Sequence, residues 1–213
     1  MCKVIILDSE TTGIAKTDEI IELAHTQIPG LVIEQAIFNK YSFNDLKQLI
    51  NNATTTTRYK PSCPINKFAY AVHGIGQSEL KDSPSSSTVT IPNNITYMVG
   101  QNIAFDRRML EQSNPDLIPQ LGEVKYICTM ILARIIDKQM KIGYENHKLD
   151  TLATHYFPEY VETLVPALHS AGNDVLKTYL VLFKLIEHLP AIKTWDELYA
   201  FQESISGTVK TKR

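Results

Sequence analysis

Asp8 and Glu10 stand at the end of a short apolar run, Val4-Ile5-Ile6-Leu7. On an extended strand residues two apart share a face, so both carboxylates project together. Like charges side by side at the end of a buried strand are costly unless a cation lies between them. Taken alone, the pair is also what an ordinary acidic turn looks like. A second group, Asn102-Ile103-Ala104-Phe105-Asp106, follows the apolar segment Ile95–Val99 and opens a helix, with Asn102 and Asp106 on one helix face and Phe105 toward the core. Singly, these two read as an N-cap and a first-turn acid favoured by the helix dipole. A third, His169-Ser170-Ala171-Gly172-Asn173-Asp174, places His169 on a loop between Pro166 and Gly172, and Asp174 in the first turn of a long apolar helix.

Together the three groups have one chemistry. Four carboxylates, each at a strand end or helix start, can meet at one edge of a sheet. An oxygen-rich cluster of this kind suits Mg²⁺ or Mn²⁺. Two such ions, about 3.5–4 Å apart, serve phosphoryl transfer by stabilising both the attacking and the leaving oxygen. A histidine titrating near neutrality can take a proton from water beside them. The three cysteines, Cys2, Cys63 and Cys128, are scattered without a C-x-x-C pair, so a cysteine zinc site is not expected and a reducing compartment is.

At these residues the chain resembles the DEDDh 3′–5′ exonucleases, the proofreading type. Asp8-Ser9-Glu10-Thr11-Thr12-Gly13 matches their D-x-E-T-T-G motif, Asn102-x-x-Phe105-Asp106 their N-x-x-F-D motif, and His169-x-Ala171-x-x-Asp174 their H-x-A-x-x-D motif, in the same order. The resemblance runs from Met1 to about Leu189. Phe105–Leu110 and Ile127–Arg134 are most similar to the exodeoxyribonuclease X subfamily of bacteria, and Ala71-Val72-His73-Gly74-Ile75 resembles a substrate-side loop of proofreading enzymes. Glu22 falls where the family often has an acid. Gln101 departs from a histidine common there, and the 42–57 segment looks longer than in that subfamily. The resemblance implies a ribonuclease H-like fold and release of nucleoside monophosphates from DNA 3′ ends, single-stranded or frayed, with RNA ends or short oligoribonucleotides as the alternative substrate. It also implies that Asp8 bridges two Mg²⁺ or Mn²⁺ ions, that Glu10 and Asp174 hold the ion on the attacking side, that Asp106 supports the other, and that His169 is the base. Thr11 and Thr12 would lie against the terminal nucleotide, and His73 and Asn102 near the substrate. Arg107, Arg108 and Lys177 could meet phosphate, although charges on helices usually face solvent. A catalytically dead binding domain would have lost a motif residue, and none is lost. A nucleotide-binding domain would carry a Gly-rich loop after Val4–Leu7, and none follows.

The elements that must position these residues read as an α/β protein with a mixed five-stranded sheet flanked by helices. Val4–Leu7 is a strand buried on both faces, ending at the Asp8–Gly13 turn. Ile20–Ile28 and Leu31–Tyr41 flank Pro29-Gly30 and read as a hairpin. Residues 42–57 read as an insertion or connection with a turn or two of helix. Helices are expected over Ile65–Val72, Ala104–Gln112, Thr129–Met140, Leu149–Tyr156, Asp174–His188 and Trp195–Phe201, and strands over Ile95–Val99 and Val124–Cys128. The chain has 213 residues, 44% hydrophobic and 21% charged, which suits one globular domain over residues 1–203 with a loose tail at 204–213. No apolar stretch approaches a membrane span, and the early Asp8 and Glu10 break any signal-peptide pattern, so a cytoplasmic protein is expected. The formal net charge is −2, so any nucleic-acid binding must come from a local site and not from bulk charge.

Overall fold

The computed structural model describes residues 3–28, 33 and 37–209, the last five by backbone alone. Its centre is one five-stranded sheet, built from β1 (Val4–Thr11), β2 (Ile20–Ile28), β3 (Thr55–Arg58), β4 (Tyr97–Gly100) and β5 (Lys125–Cys128) in the order β3-β2-β1-β4-β5. β1 runs antiparallel to β2 and parallel to β4. β2 pairs antiparallel with β3, and β4 parallel with β5. This is the expected α/β architecture with a mixed sheet.

Helices cover both faces. They are α1 (Ile37–Lys40), α2 (Phe43–Ala53), α3 (Lys67–His73), α4 (Ile103–Ser113), α5 (Ile118–Gly122), α6 (Thr129–Met140), α7 (Leu149–Tyr156), α8 (Val161–Leu164), α9 (Ala171–Glu187) and α10 (Trp195–Val209). Burial on two faces explains why β1 begins as a continuous apolar run. Val4 and Ile6 point into the larger core with α2, α6, α7, α9 and α10. Ile5 and Leu7 point into a second core with α4 and α5. The alternation carries on past Leu7. It sends Asp8 and Glu10 to the α9 side and Ser9 to the α4 side. At the end of β4, a side chain on Gly100 would come within 3.0 Å of the Leu7 carbonyl, so the two parallel strands can approach there only with glycine.

Three features differ from the sequence reading. The strand expected to pair with β2 across Pro29-Gly30 falls largely outside the described residues. Ile37–Lys40 is helical, residues 29–32 and 34–36 lie outside the described residues, and the second partner of β2 is β3. β3 lies in the threonine run of the 42–57 segment, where β-branched side chains suit an extended edge. The preceding α2 is a full amphipathic helix, opened by a Ser42–Asp45 capping box, and it buries Phe43, Leu46 and Ile50. Second, β1 continues through the acidic motif to Thr11, held by β2 with an irregularity between Glu10 and Thr11, where a turn was expected. Third, α10 extends to Val209, through residues expected to form a loose tail, while residues 210–213 lie outside the described residues. Among the described residues no helix is long and apolar enough to cross a membrane.

Candidate active site

The acids of the three motifs converge where β1 ends and where α4 and α9 begin. Asp8 is half-buried as a residue, and Glu10, Asp106 and Asp174 are buried. Glu10, His169 and Asp174 each present a ligand atom, and these atoms lie within 4.8 Å of one another. The charges strain against each other. The Asp8 carboxyl is pushed well above the ordinary range, by desolvation first and then by Asp174, Asp106 and Glu10. Glu10 is raised to about 7 by burial, with Asp174 adding to it. Asp106 is raised to about 7 by burial, against the hydrogen bond from Ser9. Carboxylates crowded until their protons return near neutrality form a site that a cation would relieve. The donor set, oxygens with one imidazole, fits Mg²⁺ or Mn²⁺.

Asp106 and Asp174 are positioned by ties that the motif spacing does not reveal. Ser9 donates from Oγ to Asp106 Oδ1 at 2.7 Å, tying β1 to α4. Asn102 takes the left-handed conformation just before α4, with φ 58°, and is exposed; its side chain does not cap the helix. Phe105 is half-buried and lines a cleft beside the acids. Glu22 lies opposite Glu10 across the strand pair, buried, with Oε2 on Arg58 Nε at 3.0 Å and Oε1 accepting from the Ala171 N–H at 3.1 Å. It therefore holds the first turn of α9, and with it Asp174.

His169 lies on the loop before α9, as expected. Its N–H donates to Val72 O at 2.9 Å, which ties the loop to α3. Nδ1 lies 3.0 Å from Asp174 Oδ2 and Nε2 lies 3.5 Å from Asp150 Oδ2. The hydrogen bond to Asp174 raises its pKa above the ordinary histidine value, against burial.

The residues expected around the substrate divide. A cleft of about 500 Å³ opens beside Glu10, walled by Ile14, Phe68, Val72 and Phe105. Thr11 lines it, but its hydroxyl donates to Gly13 O at 2.7 Å. Thr12 does not reach the cleft. It is fully buried, and its Oγ1 donates to Asp18 Oδ1 and accepts from the Glu19 N–H, bracing the turn. His73 lines the cleft, with both ring nitrogens engaged by the backbone. Ile75 N–H donates to Nδ1 at 3.0 Å, so Nε2 carries the proton and donates to Thr11 O at 3.2 Å. Burial lowers its pKa, in keeping with a neutral ring.

Sequence reasoning missed two charged residues here. Lys177 does not face solvent; it is buried between Asp174 and Asp150. Its signal was present, because α9 is apolar nearly all round and a lysine within it has no solvent face to occupy. Asp150, in the first turn of α7, belongs to none of the three motifs. Arg107 is engaged by Glu111 at 2.8 Å and lies over Tyr126, while Arg108 donates to Ile14 O at 3.2 Å beside the cleft.

A family model of exonucleases, RNase_T, matches residues 5–182, and the chain belongs to that family. Its motifs bear out the resemblance to proofreading-type enzymes. The chain is 27% identical over 194 residues to the PolC-type DNA polymerase III of Caldanaerobacter subterraneus subsp. tengcongensis, a match covering 88% of this chain and 12% of that much longer protein. In structure it is similar to Exonuclease X in complex with 5′-overhanging duplex DNA, with TM-score 0.55 and 24% identity over 86% of this chain and 90% of the other. It is also similar to E. coli Exonuclease I in complex with a 5cy-dA13 oligonucleotide, with TM-score 0.60 and 14% identity over 94% and 42%.

Proposed function

We propose that the chain is a Mg²⁺- or Mn²⁺-dependent 3′–5′ exonuclease that releases nucleoside monophosphates from DNA ends. The observation that carries this reading is the meeting of Asp8, Glu10, Asp106 and Asp174, from β1, α4 and α9, with His169 beside them. The DNA-bound Exonuclease X and Exonuclease I structures, and the polymerase relative, favour DNA as the substrate. When bound, two divalent ions would be held by the four acids and would supply Lewis acidity at the scissile phosphate.

The protein's own groups do the rest. With Nδ1–H donated to Asp174, the lone pair of His169 lies on Nε2, which takes the proton from the attacking water. The water oxygen bonds to phosphorus, and the bond to the 3′ oxygen of the preceding nucleotide breaks. The cleft holds the last nucleotide by its apolar walls. Three of its polar side chains are engaged within the protein: Ser9 on Asp106, Thr11 on Gly13, His73 on Thr11 and Ile75. Apolar walls of that kind can stack any base.

The test is a digestion panel of single-stranded DNA, duplex DNA and RNA, labelled at either end, with Mg²⁺, Mn²⁺ or chelator. Mononucleotides should leave the 3′ end of unpaired DNA and cease to appear in chelator. Digestion that persists in excess chelator, or starts only from 5′ ends, refutes the reading.

A further inference from the structure

Lys177 follows Asp174 by one turn of α9, and only 1% of its side chain is exposed. Its Nζ lies 2.6 Å from Asp174 Oδ1 and 2.5 Å from Asp150 Oδ1. Carboxylates flank the ammonium on two sides, so its charge is paired although the side chain is buried. Asp150 turns its other oxygen toward His169 Nε2, and His169 Nδ1 faces Asp174. Lys177, Asp174, His169 and Asp150 thus close a ring that contains one acid of the motif cluster and the candidate base.

We propose that Lys177 is a tethered counter-ion that competes with divalent metal for Asp174, and that Asp150 is the partner that retains it when metal takes Asp174. The inference rests on the metal-dependent reading above. An ammonium 2.6 Å from Asp174 Oδ1 stands where a cation bound by that oxygen would lie, and two cations cannot share the place. The lysine need not travel far, since its four-carbon stem is flexible and Asp150 already holds it. A buried ammonium left without a partner is strongly destabilising, and Asp150 removes that cost. The cluster accordingly remains neutralised in part without metal, and binds metal more weakly than its acids alone would.

The two ends of the ion pair therefore act in opposite directions. Lys177→Met keeps the volume of the stem and removes the charge, so the metal-free protein should bind Mn²⁺ at least about tenfold more tightly, as expected for loss of a unit positive charge a few ångströms from a divalent ion. Its metal-free melting temperature should fall, and Mn²⁺ should raise it by more than in the wild type. Asp150→Asn leaves Lys177 with Asp174 as its only carboxylate, and Mn²⁺ binding should weaken by several fold. A brace that merely shapes the site would make both substitutions weaken binding. The measurement is calorimetric titration of the full metal-free chain with Mn²⁺, without nucleic acid, together with thermal melts. A folded Lys177→Met protein that binds Mn²⁺ no more tightly than wild type overturns the proposal. So does an Asp150→Asn protein whose affinity is unchanged or tighter; if Lys177→Met does not fold, Lys177→Gln, which also removes the charge, is measured in its place and must likewise bind Mn²⁺ more tightly. A wild-type protein that binds no Mn²⁺ fails the metal-dependent reading itself, and this proposal with it. Failure of the counter-ion idea alone leaves wild-type binding intact.

Discussion

Replacing Asp106 with asparagine should stabilise the metal-free protein while removing its activity. The Asp106 carboxyl is raised from 3.8 to about 7. A group whose folded pKa lies above its unfolded one holds its proton more tightly in the native state, so stability falls as pH rises between the two values. The penalty is absent below about pH 4 and complete above about pH 7. That gap corresponds to about 4 kcal/mol at 1.36 kcal/mol per pH unit. The shift comes first from burial of the carboxylate and then from the Asp174 charge, and a buried neutral amide relieves them in part, so about half should be recovered, ~2 kcal/mol. Asparagine keeps an Oδ1 to accept from Ser9, so the tie between β1 and α4 survives. For a chain of this size the gain amounts to a rise of about 4–8 °C in melting temperature. The assay is thermal unfolding in chelator near pH 8 and near pH 5, followed by circular dichroism. The variant should exceed wild type by the larger margin at the higher pH, and Mg²⁺ should raise wild type more than the variant. A variant melting at or below wild type near pH 8 would show that the cluster is not under charge strain, and the reasoning would fail.

His169→Ala should lose about 10²–10⁴ in rate while still binding metal, and His169→Gln should not recover it; a glutamine variant with near-normal turnover would end the base assignment. Glu22→Ala should lower stability by about 1–3 kcal/mol, because the Ala171 N–H and Arg58 both lose a buried carboxylate; an unchanged denaturation midpoint would show that α9 does not depend on it. Phe68 is 72% exposed at the rim of the cleft, so Phe68→Ala should leave stability unchanged and raise KM for single-stranded DNA about tenfold, in line with one lost stacking contact; an unchanged KM would place the substrate elsewhere.

Much of the site was legible in the sequence because motif residues sit where local rules are strong. The two-residue spacing of Asp8 and Glu10 gave a shared face, and the apolar run before them gave the buried strand. The boundaries of α6 and α7 followed from their periodicity. What was not legible depended on long-range pairing. Nothing local says that the threonines at 55–57, 27 residues or more beyond the end of β2, return to pair with it. The ties that aim the acids (Ser9 to Asp106, Glu22 to Ala171, Lys177 to Asp150) join residues far apart in the chain and leave no spacing to read. Thr12 misled for a related reason: adjacent threonines in one motif looked equivalent, but β1 ends at Thr11, and Thr12 turns inward to brace Asp18 and Glu19.

Those same long ties bear on when the protein becomes dangerous to its host during synthesis. Ser9 and Asp106 stand 97 positions apart, and Glu22 and Ala171 stand 149 apart. A nascent chain that has emerged only as far as β5 still lacks His169, Asp174 and the helix that seats them. On the proposed reading, half-made or prematurely terminated chains would be inert, and hydrolytic competence would arrive late, when α9 docks on β1 and β2.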